Sequence, residues 1–245
     1  MQKLILLILA IIPGALIMLW IYRKDKIESE PKGLIARLLI YGAIACIPAV
    51  LFGVLFDIFL GWFFETETIL SMILEYFIAV ALVEEGCKMF MLKKITWNNK
   101  AFNYRFDAIV YAVSVGMGFA ILENIIYVFQ NGLMTALIRA VLSIPGHASF
   151  AICMGIFYAE AKRAEAMGNK RKKRNNLRAA LLFPVLMHGF YDFALSVDSW
   201  ILLLLLFISI VVTDVLCVRK IRRHSETDDK LAPESEPFSL SNIHF

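Results

Sequence analysis

Long apolar stretches, separated by short polar ones, set the pattern of this chain. Runs over 4–22, 34–60, 69–92, 107–130, 133–159, 179–196 and 200–218 are dominated by Leu, Ile, Val, Ala and Phe. Each is near the roughly 20 helical residues that cross a hydrocarbon core of about 30 Å. The pattern predicts an all-α polytopic membrane bundle of seven transmembrane helices.

The polar stretches between these runs test that count, because basic residues collect on the cytoplasmic side of a membrane. Segment 23–33 carries Lys24, Lys26 and Lys32, whereas 61–68 has no base. Lys93, Lys94, Lys100 and Arg105 mark 93–106, and the turn at Asn131-Gly132 is uncharged. A long loop over 160–178 holds Lys162, Arg163, the run Lys170 to Arg174, and Arg178, while the turn around Asp198 has no base. Arg219, Lys220, Arg222 and Arg223 follow the last run. The alternation puts the N-terminus outside and the C-terminus in the cytoplasm. It divides the chain into a signal-anchor-like first helix (1–22), a multi-helix core (34–218) and a flexible cytoplasmic tail (219–245). The first run is long for a secretory h-region and lacks a small-x-small cleavage site, so it is expected to stay.

Composition agrees, with 60% hydrophobic residues and a mean hydropathy of +0.70. A soluble domain is excluded. The net charge of +4 follows from the topology and calls for no nucleic acid. Cys46, Cys87, Cys153 and Cys217 all lie in apolar runs without a CxxC spacing, which suggests neither disulfides nor a thiolate metal site.

Charges inside the third run are the chemical anomaly. Glu84, Glu85 and Lys88 sit where a lipid-facing ion costs about 2.5–3.5 kcal/mol and each large apolar residue returns only about 0.3–0.6 kcal/mol. They must face other helices or water and pair. Glu84 and Lys88 are four apart, Glu85 and Lys88 three apart, and both spacings bring side chains together. If Lys88 neutralises one glutamate, the other, about 100° around the helix, keeps a different environment suited to acid/base work.

Other buried polar residues fall on three later runs. Phe119, Glu123 and Tyr127 share a face beside Gly116 and Gly118, whose small size permits close helix approach. Asn124 adjoins them. His147 follows Pro145, which leaves the Val141 carbonyl without its donor and should kink the helix just before the histidine. His188 and Asp192 are four apart, so the carboxylate can orient the imidazole. At about 1.5 Å per residue, Glu84, Glu85, His147 and His188 lie roughly 10–20 Å from the cytoplasmic edge, and Glu123 roughly 24 Å. Either the helix of Glu123 starts later than the run suggests, or Glu123 sits in an outer layer with Glu75, Arg139 and Asp192, where an Arg139 pair with Glu75 or Glu123 is expected.

Glu84-Glu85-x-x-Lys88, Phe119-x-x-x-Glu123-Asn124, the Gly146-His147 segment and His188-x-x-x-Asp192 resemble, in order and spacing, the motifs of the PrsW intramembrane proteases. These are related to the CAAX-processing prenyl endopeptidases and bacterial CPBP proteins. The resemblance spans about 69–195. Lys88 and Glu123 stand where the prenyl endopeptidases have arginine and histidine, which is the PrsW-like form. It implies a multi-pass bacterial cell-membrane peptidase acting on a membrane-anchored protein. In the best-known case that protein is an anti-sigma factor, whose destruction frees an extracytoplasmic-function sigma factor in envelope-stress signalling.

The residues permit a mechanism in which Glu84 or Glu85 activates water. His147 and His188 position that water or stabilise the oxyanion, Asn124 is a further donor, Asp192 orients His188 and Glu123 completes the polar cavity. No cofactor is then needed. A zinc variant would use Glu84, His147 and His188, but its ligands come from separate helices with no His-Glu-x-x-His, and the metal-free form is preferred. The same groups also suit a proton- or ion-coupled transporter or channel, against which stands the absence of an evident inverted repeat. A noncatalytic scaffold would tolerate Glu84→Gln.

Overall fold

Residues 106–120 are buried on every side, which makes the helix that carries them the axis of the molecule. The computed structural model describes residues 2–63, 68–226 and 229–231. In chain order its elements are α1 (Gln2–Tyr22), α2 (Lys32–Phe63), α3 (Ile69–Leu74), a π-helical stretch (Glu75–Leu82), α4 (Val83–Thr96), α5 (Arg105–Val141), α6 (Ser143–Ala166), α7 (Lys170–Ser196) and α8 (Trp200–Glu226). Among the described residues the fold is all-helical, with one isolated bridge between Tyr104 and Lys230. Five helical stretches are long and apolar enough to cross a membrane: Lys3–Tyr22, Lys32–Phe63, Arg105–Ala166, Lys170–Ser196 and Trp200–Arg222.

Small residues let α5 occupy the centre. A β-carbon at Gly118 would come within 2.0 Å of the Leu39 carbonyl oxygen, and one at Gly42 within 2.1 Å of the Val115 carbonyl oxygen. The backbones of α2 and α5 therefore touch, gaining dispersion contacts where lipid offers no hydrophobic drive. On the opposite side Gly116 meets Ala151, and Gly155 meets the backbone at Ala108 and Ile109. Those contacts show the stretch 105–166 doubling back on itself. The reversal is at Gly132, whose φ of 82° is open to glycine and strained for other residues.

Pro145 has its expected effect. With no N–H for the Val141 carbonyl, the helix breaks at Leu142 (φ −108°, ψ −56°) and restarts at Ser143. Two sequence expectations need correction. The stretch 160–178 is not a long loop: α6 continues to Ala166, Gly168 turns the chain at φ 69°, and the Asn169 side chain accepts from Lys172 N, starting α7 at Lys170. Lysine and arginine are good helix formers, so the basic run is the first turn of a helix. The second concerns the tail, where α8 extends to Glu226 and residues 229–231 lie against the α4–α5 connection. Leu231 is buried there, its N–H donating to the Asn103 carbonyl at 2.8 Å, and Asp229 pairs with Arg105. Residues 64–67, 227, 228 and 232–245, covering part of the expected external loop and most of the tail, lie outside the described residues.

The close approach of α2 and α5 yields a stability test. Gly118→Ala should destabilise the detergent-solubilised protein by about 1–3 kcal/mol through overpacking, read as a lower melting temperature. Gly33→Ala, where nothing lies within 4 Å, should leave it unchanged or slightly raised.

Candidate active site

The helix over residues 69–96 changes its winding just ahead of the glutamates. Its π-helical turns end at Leu82, and Val83, Glu84 and Glu85 begin α4. Such a bulge re-aims the residues beyond it and commonly marks functional helices. It turns Glu85 and Lys88 inward, where their side chains are 1% and 4% exposed, while Glu84 keeps 13%.

Lys88 stands at the centre. Its ammonium donates to Glu85 Oε1 at 2.7 Å, Glu84 Oε2 at 3.3 Å and His147 Nδ1 at 3.3 Å. An ammonium has three N–H donors and no acceptor, so these contacts use all of them. Both glutamates, rather than one, are held by Lys88. The difference between them lies in exposure and in their second partners. Beneath the ammonium the Phe119 ring offers its face at 4.1 Å, a cation–π contact in a desolvated setting.

The two histidines are fixed in different ways. His147 Nδ1 must accept from Lys88, which leaves Nε2 to carry the proton and donate to Glu123 Oε2 at 2.9 Å. His188 presents both ring nitrogens to carboxylates, Nδ1 to Glu85 Oε1 at 3.0 Å and Nε2 to Asp192 Oδ2 at 3.2 Å, so both are placed to donate. The rings meet edge to face with centroids 5.2 Å apart, and Phe150 stacks on His188 at 5.1 Å.

An outer layer supports this group. Arg139 pairs with Glu123 Oε2 at 2.8 Å, lies over the Tyr127 ring, and donates through Nε to Asn124 Oδ1 at 2.8 Å. Asn124 Nδ2 in turn donates to the Ala10 carbonyl on α1 at 3.1 Å. Asn124 is thus committed to tying α1 onto α5.

All nine residues singled out in the sequence, Glu84, Glu85, Lys88, Phe119, Glu123, Asn124, His147, His188 and Asp192, join one connected polar cluster. Sequence reasoning missed Phe150, although it lies three residues beyond His147 on the same helical face, and it missed the contribution of α1. Between α6, α7 and α8 a cavity of about 270 Å³ reaches Phe150 and Tyr191. Its far wall carries Asp214, which accepts from the Ser149 hydroxyl at 2.6 Å.

Donor atoms of Glu84, Glu85, His147 and His188 all lie within 4.8 Å of one another, a set that can surround a metal ion. In donor type and number it fits zinc. The Lys88 ammonium already occupies the electrostatic position of such an ion, bonded to three of the four residues. The cluster therefore has a built-in cation that a metal would have to displace.

The family model described as PrsW family intramembrane metalloprotease matches residues 30–217. Protease PrsW of Geobacillus kaustophilus (strain HTA426) is 34% identical over 190 residues, covering 77% of this chain and 79% of the relative. Protease PrsW of Clostridioides difficile (strain 630) is 33% identical over 237 residues, covering 94% and 95%. The Oceanobacillus iheyensis protein of that name is 34% identical over 218 residues, covering 88% and 94%. No solved structure matches. The polar cluster thus sits in a chain of peptidase rather than transporter kinship, and this chain belongs to the PrsW family of intramembrane proteases.

Proposed function

We propose that this protein hydrolyses a peptide bond of a membrane-anchored protein by a glutamate-activated water. It would do so in a bacterial cell membrane that the chain crosses seven times, with its N-terminus outside. The observation that carries the reading is the gathering of two carboxylates and two imidazoles around one buried ammonium. Glu84 is the base. It is the more exposed of the pair, and it is bound less closely by Lys88 than Glu85 is.

In the reaction Glu84 takes a proton from water as the water oxygen attacks the scissile carbonyl carbon. The carbonyl oxygen becomes an oxyanion, stabilised by the nearby charges of Lys88 and of His188, whose two ring N–H groups are held by Glu85 and Asp192. The C–N bond then breaks and Glu84 returns the proton to the leaving amine. Glu85 and Asp192 hold His188 in place, and Lys88 and Glu123 hold the His147 ring beside it as a wall of the reaction site. The cavity between α6, α7 and α8 provides the substrate's approach past Phe150. An anti-sigma factor is the proposed substrate, linking the enzyme to envelope-stress signalling.

A second reading is favoured by the donor set and by the family description. Glu84, His147 and His188 would hold zinc, which when bound would supply Lewis-acid polarisation of water or carbonyl. It requires Lys88 to leave His147, so the metal-free reading is preferred.

Cells making Glu84→Gln enzyme should accumulate an intact membrane-anchored protein that wild-type cells cut, as seen by comparing their membrane proteomes. With that substrate in a cleavage assay, single changes Glu84→Gln, Glu85→Gln, His147→Ala and His188→Ala should each lower turnover by about 10²–10⁴-fold. Undiminished turnover in all four would end the proposal. Chelator treatment should leave wild-type turnover intact; loss restored by zinc would transfer the chemistry to the second reading.

A further inference from the structure

The first turns of α7 set charge against geometry. Lys170, Arg171, Lys172, Lys173 and Arg174 open the helix with no acid among them, at the end where its peptide dipoles already leave positive charge. Such an end favours an anion. Two of the five find carboxylates, Lys172 at 4.0 Å from Glu160 and Lys173 beside Glu165. Lys170, Arg171, Arg174 and Arg178 pair with no carboxylate among the described residues.

Helical spacing puts Lys170, Arg174 and Arg178 in one row and Lys173, Leu177 and Leu181 in the row beside it. The two rows line a groove of about 510 Å³, to which α4 contributes Met89. One end of the groove is cationic and the other apolar. Ala179 begins the apolar part of α7, and Leu92 ends that of α4 ahead of Lys93 and Lys94, so the groove straddles the edge of the hydrocarbon. Lys93 and Lys173 both lie over the Trp97 ring, at 5.8 and 5.0 Å from its centroid, which brings the two helix ends together.

We propose that this groove binds one anionic phospholipid, its phosphate held by Arg174 and Arg178 and an acyl chain lying over Leu177, Leu181 and Met89. The charge calls for an anion, and a guanidinium matches phosphate oxygens in pairs. The apolar end separates a lipid from a soluble anion, which has nothing to place there. Clustered bases beside a membrane span attract anionic lipid in general, and a groove between two helices seats one molecule of it. Because α4 carries Glu84 and Glu85 and α7 carries His188, the lipid braces these helices at a common end. This site uses none of the residues assigned to hydrolysis and stands whether or not that assignment does.

The test takes the full-length protein, delipidated in detergent, and titrates it with phosphatidylglycerol or phosphatidylcholine, counting bound lipid by native mass spectrometry. Wild type should bind one phosphatidylglycerol per chain at least tenfold more tightly than phosphatidylcholine, and should melt about 3 °C or more higher with it. Arg174→Gln/Arg178→Gln should lose that preference. Lys220→Gln/Arg222→Gln, which removes the same charge from exposed positions on α8, should keep it. Leu177→Trp, which fills the groove and leaves its charge, should weaken binding tenfold or more. Equal affinity of wild type for the two lipids would overturn the proposal without any variant having to fold. So would equal loss in the two double variants, or unchanged binding by Arg174→Gln/Arg178→Gln or by Leu177→Trp. Displacement of the lipid by equimolar glycerol phosphate or polyglutamate peptide would overturn it too, assigning the groove to a soluble anion or to an acidic protein segment.

Discussion

One buried ammonium organises the centre of this protein. Placing Lys88, Glu84 and Glu85 out of water costs several kcal/mol for each ion after relaxation, and only close pairing with complete hydrogen bonding returns it. Lys88 meets both conditions, using its three donors on two carboxylates and an imidazole while an aromatic face covers it from below. Removing such a partner leaves uncompensated charge, so the geometry of the glutamates is inseparable from the lysine four residues on.

From that ammonium the contacts run outward without a gap. Lys88 reaches His147, which reaches Glu123, then Arg139, Asn124 and the Ala10 carbonyl. In the other direction Glu85 leads to His188 and Asp192. The chain of contacts joins α1, α4, α5, α6 and α7. α2 and α3 stand outside it, as does α8, which is held by the Ser149–Asp214 hydrogen bond and has 11% of its apolar span buried. The packing that brings the histidines to the glutamates is made by glycines. Gly116 and Gly155 let the two arms about Gly132 lie close enough for Glu123 and His147 to touch.

Much of this was legible in the sequence because charges in apolar runs are conspicuous and helical spacing is reliable over one turn. The Glu84–Lys88 and His188–Asp192 pairs, the Gly132 turn and the break before His147 follow from local rules. Partners between helices were not legible in the same way. Arg139 had two candidate acids, and only the fold chose Glu123. The π-helical turns before Val83 leave no mark in residue type. The basic run after residue 169 looked like solvated loop, although Gly168 and Asn169 carry the stop and start signals of two helices.

The proposed mechanism has the Lys88 ammonium, rather than a metal, hold the carboxylates and imidazoles in working order. Its most direct test is cleavage of a membrane-anchored substrate by Lys88→Met enzyme in liposomes, with zinc added and withheld, alongside its melting curve. The account predicts a folded protein with turnover reduced by about 100-fold or more in both conditions. Turnover near that of wild type, or restored by zinc, would contradict it.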